Sequence, residues 1–308
     1  MNLDTTIRSV VSRISMTNIL FLTDFSGPSE AALPFATSIA RGYGAKVFAL
    51  HVYSPNPAIG SAPSKVAIAA LEAEEQSAKD RVESQLTGLE HETIVAWNTG
   101  VWEAVKKTIH ANNIHLIVLG THGRTGADKL LMGSVAEEIF RRSPVPVLTI
   151  GPEVRSSVHR AGRFRRVLFA TDFKDASVAA VPYAVSLSRE NNARLLLLHV
   201  MRLPHERDAS HQQQFELSVA EAYYHLYETV PNDAQLQVRP EVVVEYGEPA
   251  ERILALAKEC RSDLIVLGVR DAQGHIGAAT HLERATAHRV VSHAQCPVLT
   301  VRQGSEPT

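Results

Sequence analysis

Cysteine is scarce in this 308-residue chain, which has only Cys260 and Cys296, far apart and without C-x-x-C spacing. That excludes a disulfide framework and a thiolate zinc site, and it fits a reducing compartment. Charge of one sign is not in excess either. Lys and Arg number 31 against 33 Asp and Glu, a formal charge of −2, so no general attraction to nucleic acid or an anionic membrane is expected. Long apolar runs are missing. Leu195–Leu198 and Leu264–Leu267 fall far short of the ~20 residues a membrane helix requires, and the opening MNLDTTIRSVVSRISMTN is too polar for a secretory h-region. H-E-x-x-H, G-x-S-x-G and G-x-x-x-x-G-K-[ST] are absent, which removes the zincin, α/β-hydrolase and P-loop readings. Without the last of these, the lysine and Mg²⁺-bound hydroxyl of a P-loop ATPase are lacking. The expectation is a cytoplasmic protein with neither nucleic acid nor membrane as a partner.

What the chain does have is a long internal repeat. Asn18-Ile19-Leu20-Phe21-Leu22-Thr23-Asp24-Phe25 recurs as Arg166-Val167-Leu168-Phe169-Ala170-Thr171-Asp172-Phe173. The register then runs without a gap to Leu50-His51-Val52 against Leu198-His199-Val200, with roughly half of the paired positions identical. Leu116–Gly120 pairs with Leu264–Gly268 at the same offset, and Pro146–Ile150 with Pro297–Val301 three residues further on. A period this long makes each unit a whole domain rather than a solenoid repeat. The three extra residues of the second copy lie just where a functional difference is expected. The boundaries read as an N-terminal extension at 1–17, a first domain at 18–151, a linker at 152–164, a second domain at 165–303 and a tail at 304–308. The linker is polar, with Pro152, Gly162 and several arginines, and reads as solvated.

Within a copy, short Val/Ile/Leu runs alternate with amphipathic stretches of helical length. In the first copy the spacing predicts strands at 19–22, 46–52, 93–97, 116–119 and 145–150, with helices at 28–43, 64–86, 101–111 and 135–142. Uninterrupted apolar strands with helical crossovers imply a parallel sheet covered on both faces. The fold class is α/β: two tandem doubly wound, Rossmann-like domains, each with a five-stranded parallel sheet. Ligands of such folds lie at the carboxyl ends of the strands, near the point where strand order reverses.

Chemistry concentrates after the fourth strand, where Gly120-Thr121-His122-Gly123 is followed at the next helix start by Gly133-Ser134-Val135, a G-x2-G-x9-G-S spacing. Gly120 and Gly123 are expected to let backbone approach a ligand with no Cβ in the way. The helix opening at 133–135 offers unpaired N–H groups and the positive dipole end to an anion, and Ser134 adds a hydroxyl. Arg124 and Lys129 lie in the loop between, either screening phosphates or simply solvated. Thr23-Asp24, at the end of the first strand, brings a carboxylate to the same crevice as an acceptor for ribose hydroxyls. Asp24 and Ser26 also stand where they would cap a helix. The Val52 backbone is placed to meet an adenine edge. His51 and His199 occupy equivalent strand positions, which favours a structural role for both. Trp97 and Trp102 read as core or rim, and His288 and His293, at i,i+5, face different directions, so no metal site is assigned.

These motifs together resemble the universal stress proteins, and the chain resembles a tandem of two such domains over residues 18–302. The glycine pattern after L-I-V-L-G, with T-D-F-S at the first strand and P-V-L-T-[IV] at the last, carries the resemblance. In that family the pattern marks ATP-binding members. The resemblance implies that Leu22, Thr23, Asp24 and Val52 surround adenosine, while Leu119, Gly120, His122, Gly123, Gly133, Ser134 and Val135 surround ribose and phosphates. It also implies pairing through the last strand, so that the copies meet as an internal pseudo-dimer, with homodimerisation and an unknown protein partner left open. The cofactor implied is ATP, with or without Mg²⁺, and ADP or AMP is not excluded.

The second copy keeps Gly268, Asp172 and Val200 but has Asp271 for Gly123, Arg284 for Gly133 and Ala285 for Ser134. A triphosphate held in the same manner is not expected there. The function that follows is an ATP-binding stress-response or regulatory protein, with nucleotide in the N-terminal domain and the C-terminal domain as a structural partner. No catalytic residue is assigned, and turnover is at most a weak ATPase. The alternatives are an adenylylating or slowly ATP-hydrolysing enzyme of a related fold, and a nucleotide-independent adaptor.

Overall fold

The computed structural model describes residues 14–53, 65–97, 100–121, 132–155, 158, 162–201, 209–270 and 286–302. In the first copy the elements run β1 (Asn18–Leu22), α1 (Gly27–Tyr43), β2 (Lys46–Tyr53), α2 (Lys65–Gln85), β3 (His91–Trp97), α3 (Val101–Asn112), β4 (Leu116–Gly120), α4 (Ser134–Arg142) and β5 (Val147–Ile150). The second copy repeats them as β6 (Arg166–Thr171), α5 (Asp175–Asn191), β7 (Arg194–Met201), α6 (Ala209–Thr229), β8 (Glu241–Tyr246), α7 (Pro249–Glu259), β9 (Leu264–Val269), α8 (Thr286–His293) and β10 (Val298–Arg302). The spacing-based expectations for the first copy agree with these bounds to within two residues.

All strands join one ten-stranded sheet in the order β3-β2-β1-β4-β5-β10-β9-β6-β7-β8. Pairing is parallel inside each copy, and the order reverses between β1 and β4 and again between β6 and β9. The join is the single antiparallel pair, β5 with β10. There Leu148 faces Leu299, its own counterpart in the repeat, so the seam is self-complementary about a pseudo-two-fold axis. Thr149 and Thr300 reinforce it symmetrically, each donating its hydroxyl across the seam, to the carbonyls of Val298 and Val147.

Strand alternation divides the core between the two faces. In β1, Ile19 and Phe21 point to one face, where α1, α2, α5 and α6 pack; Leu20 and Leu22 point to the other, covered by α3, α4, α7 and α8. Each apolar cluster runs through both copies. A fully buried Leu, Ile or Phe contributes about 1.5–3 kcal/mol, so the seam is part of the core and not a contact between separate bodies. Among the described residues no helix is long and apolar enough to cross a membrane.

Two expectations about the flanks need correction. The segment after β5 is not a solvated tether. Val154 and Val158 are buried at i,i+4 spacing, Phe164 is fully buried and stacks on Phe35 at 6.1 Å, and Arg155 donates to the Ser262 carbonyl. Apolar side chains sparsely placed among arginines were enough to dock it. Gly162 is held at φ +55, and a Cβ there would meet the Pro34 carbonyl oxygen at 2.6 Å. Upstream of β1, Ile14 and Met16 are buried in the core, so the last part of the 1–17 extension belongs to the first copy.

Candidate functional site

The β1–α1 turn is built the same way in both copies. Thr23 Oγ1 accepts the Phe25 N–H at 3.0 Å, and Asp24 Oδ1 accepts the Ser26 N–H at 3.0 Å. Ser26 is the N-cap of α1, its side chain accepting from the Ser29 N–H. These bonds hold Phe25 at φ 58, a left-handed conformation that is an outlier for a bulky residue. The strain persists because its ring is packed, 4.9 Å from His51 and 4.3 Å below the Arg81 guanidinium. His51 Nδ1 donates to the Thr23 carbonyl at 2.8 Å, and His199 does the same to Thr171. The paired histidines are therefore structural, fastening the end of the first strand in each copy.

At the other wall, β4 ends at Gly120 and the chain re-enters the described residues at Met132. Gly133 is the N-cap of α4, and its N–H donates to the Thr121 carbonyl at 2.8 Å. Gly133 has no side chain with which to cap this helix, and the N–H groups of its first turn lack intrahelical partners at the positive end of the dipole.

Between these walls, at the β1/β4 reversal, lies a cleft of about 750 Å³ counted to its open mouth. Leu22, Thr23, Asp24, Val52, Leu119, Gly120, Gly133, Ser134 and Val135 all line it. His122, Gly123 and Arg124, with Lys129, lie outside the described residues. Asp24 and residues 133–135 thus line one hollow, with the Gly133 N–H already held by the Thr121 carbonyl. Sequence reasoning missed Ser29, Leu50, Val101, Thr121 and Ala136, which line it too. Val101 was findable, since it opens the helix after β3 and so stands at the carboxyl edge of the sheet.

Gly120 lines the cleft and has a packing role besides. A Cβ on Gly120 would strike the backbone of Pro28 at the start of α1, with the carbonyl carbon at 2.7 Å. Gly268 is in the same position against Ala176. This glycine is required for helix-on-strand packing, which is why both copies keep it.

The counterpart cleft in the second copy is larger, about 1260 Å³, and Asp172 and Val200 line it as their equivalents do in the first. Its electrostatics differ. Arg270, at the position of His122, reaches Asp172 at 3.1 Å, and Lys174 stands 4.0 Å away. Partial burial pushes the Asp172 carboxyl upward, but hydrogen bonds from Ser177, the Lys174 amide and Arg270 outweigh it and hold the group below the usual range. Asp271, Arg284 and Ala285 lie outside the described residues. His288 is buried against Phe140, and His293 Nδ1 donates to the Arg289 carbonyl, so the two rings serve different surroundings. Among the described residues no cluster of His, Cys, Asp and Glu has the geometry to hold a metal ion.

Residues 16–151 and again 163–302 match the Universal stress protein family. The chain belongs to that family. It is similar to a universal stress protein from Mycolicibacterium smegmatis, at 25% identity over 92% of this chain and 96% of the relative. A Bacillus subtilis universal stress protein, YxiE, is 30% identical over 45% of this chain and 99% of its own length. Among solved structures, a universal stress protein from Archaeoglobus fulgidus superposes with a TM-score of 0.69 at 23% identity, covering 96% of this chain and 98% of that one. That likeness supports the fold.

Proposed function

We propose that this tandem universal stress protein is an ATP-binding regulatory protein that holds nucleotide in its N-terminal copy and uses the C-terminal copy as a structural partner. One observation carries the reading. The glycine-led N-terminus of α4 and Asp24, brought from opposite walls, line the same open cleft with Leu22, Leu50, Val52, Leu119 and Val135. The apolar floor suits a purine, Asp24 suits ribose hydroxyls, and the α4 amides with Ser134 suit phosphate oxygens. Gly123 and the loop cations Arg124 and Lys129 extend this assignment on the resemblance alone.

Among the described residues the cleft offers binding groups and no histidine or cysteine, so occupancy that alters shape or association fits better than turnover. The test is equilibrium binding of ATP to wild type and to Gly123→Asp/Gly133→Arg. Loss of binding in the double variant is expected, and equal affinity in the two proteins would refute the site. ADP and AMP titrated in parallel identify the resident nucleotide, and pyrophosphate release in the presence of a carboxylic acid would favour an adenylylating enzyme instead.

A further inference from the structure

Helix α4 presents its first turn to the candidate phosphate site, and its other end is held by a residue from the far end of the chain. Arg302, on β10 of the second copy, is only 7% exposed. Its Nη2 donates to the carbonyls of Phe140 at 2.6 Å and Arg141 at 2.7 Å, in the last turn of α4. The Ser143 N–H takes the preceding carbonyl, of Ile139. Three of the last four carbonyls, which a helix leaves unpaired, are therefore satisfied, two of them by one guanidinium whose charge matches the negative end of the helix dipole. Nη1 of the same group donates to the Arg270 carbonyl at 3.0 Å, at the mouth of the second cleft.

The arrangement is one-sided. The position equivalent to Arg302 in the first copy is Gly151, which lies beside the carbonyls of Val291 and Ala294 at the end of α8 and has no side chain to hold them. Pseudo-symmetry therefore does not explain the clamp. Among the described residues only α4, whose opposite end faces the candidate nucleotide, receives it.

We infer that Arg302 is a positioning residue through which the second copy fixes the orientation of α4 and thereby the phosphate-facing amides of the first cleft. This rests on the nucleotide reading above and says what the second copy contributes to it. Helix α4 has nine residues, about 13 Å at 1.5 Å per residue, so Arg302 does not touch phosphate and acts through the helix as a rigid rod. The adenosine half of the site stands on β1, β2 and β4, which do not depend on this clamp.

The experiment compares ATP and adenosine affinities in the full chain for wild type, Arg302→Met, Arg302→Lys and Arg270→Gln. Arg302→Met is expected to weaken ATP about tenfold, equivalent to about 1.4 kcal/mol, and to leave adenosine unchanged. Arg302→Lys keeps the charge but not the fork that spans two carbonyls, and should recover only part of the loss. Arg270→Gln removes a cation while leaving its carbonyl in place, so ATP affinity should stay at the wild-type value. The inference is overturned if Arg302→Met lowers both affinities together, if it leaves ATP affinity intact, or if Arg302→Lys or Arg270→Gln shows that charge alone explains the change. Should Arg302→Met fail to fold, hydrogen exchange on wild type decides. ATP, but not adenosine, must slow exchange at the α4 C-terminus, residues 139–143, and no such slowing overturns the inference. Wild-type protein that binds no ATP overturns the nucleotide reading and this inference with it; an unaffected Arg302→Met removes the inference alone.

Discussion

Gly120→Ala is the substitution that best separates the packing role of this glycine from a role in ligand approach. The added methyl would sit 2.7 Å from the carbonyl carbon of Pro28 and nearer still to its oxygen. Both atoms belong to the first turn of α1, which is pinned by the Ser26 cap and by the Thr23 and Asp24 bonds. Overpacking of this kind costs about 1–3 kcal/mol, and a backbone neighbour that cannot rotate away puts the cost in the upper half. Replacing glycine in a strand returns about 0.5–1 kcal/mol of unfolded-state entropy. The net expectation is a loss of about 1–2 kcal/mol, or roughly 1.5–3 °C in Tm for a chain of this size. Urea and thermal unfolding followed by circular dichroism measure it. Gly42→Ala is the control, because nothing lies within 4 Å of its added Cβ and it stands inside α1; it should be neutral or stabilising by up to about 1 kcal/mol. A Gly120→Ala protein as stable as wild type, with weakened nucleotide binding, would show that the glycine serves the ligand and that the packing argument is wrong.

At the seam, Leu148→Ala and Leu299→Ala should each cost about 2–5 kcal/mol; because the two residues face each other, the double variant should fall short of the sum, as a denaturation double-mutant cycle would reveal. Burial pushes the Cys296 thiol up to about 12, and burial also raises Cys260, with nearby Glu241 and Glu259 adding to it. A chromogenic disulfide reagent at pH 8 should therefore react slowly with Cys260 and reach Cys296 only on unfolding. Burial lowers the pKa of His115, whose Nδ1 accepts the Asn18 N–H at 3.3 Å and so requires the neutral ring. With the folded value depressed, the unfolded chain binds more protons below the ordinary histidine range. Stability is present above about pH 6.5 and lost as pH falls through the folded value. His115→Asn should flatten that part of the pH–stability curve, and an unchanged slope would refute the assignment.

The sheet of each copy was legible because strand periodicity and the repeat agree, and the carboxyl-edge rule then places the cleft. What stayed hidden depends on distant residues. The resemblance implied that the two last strands pair, but nothing in Pro146–Ile150 or Pro297–Val301 gives the register, which the meeting of Leu148 with Leu299 supplies. Arg302 reads as the last charge before a polar tail, and its burial is set by the α4 terminus some 160 residues earlier. Val154 and Val158 were masked by the arginines around them. Gly120 was visible as a glycine but not as a contact, because its neighbour is Pro28 and not the next residue of its own motif.

The repeat also decides which residues are informative about binding. Thr23, Asp24, Phe25 and His51 recur as Thr171, Asp172, Phe173 and His199, with the same strained turn and the same histidine-to-carbonyl bond. Their presence in both copies follows from the turn itself, whatever each cleft holds. Asp24 therefore has two duties, and Asp24→Asn would disturb the Ser26 bond as well as any ribose contact, so a loss of affinity there is ambiguous. Ser134 is different. It follows a glycine cap, which has no side chain to lose, and the second copy has alanine at the matching position. Ser134→Ala removes one hydroxyl from the cleft without touching the turn. If the α4 end holds phosphate, that variant should lose ATP affinity by about 0.5–1.5 kcal/mol, with unchanged stability and unchanged adenosine binding, and equal ATP affinity would place the phosphates elsewhere.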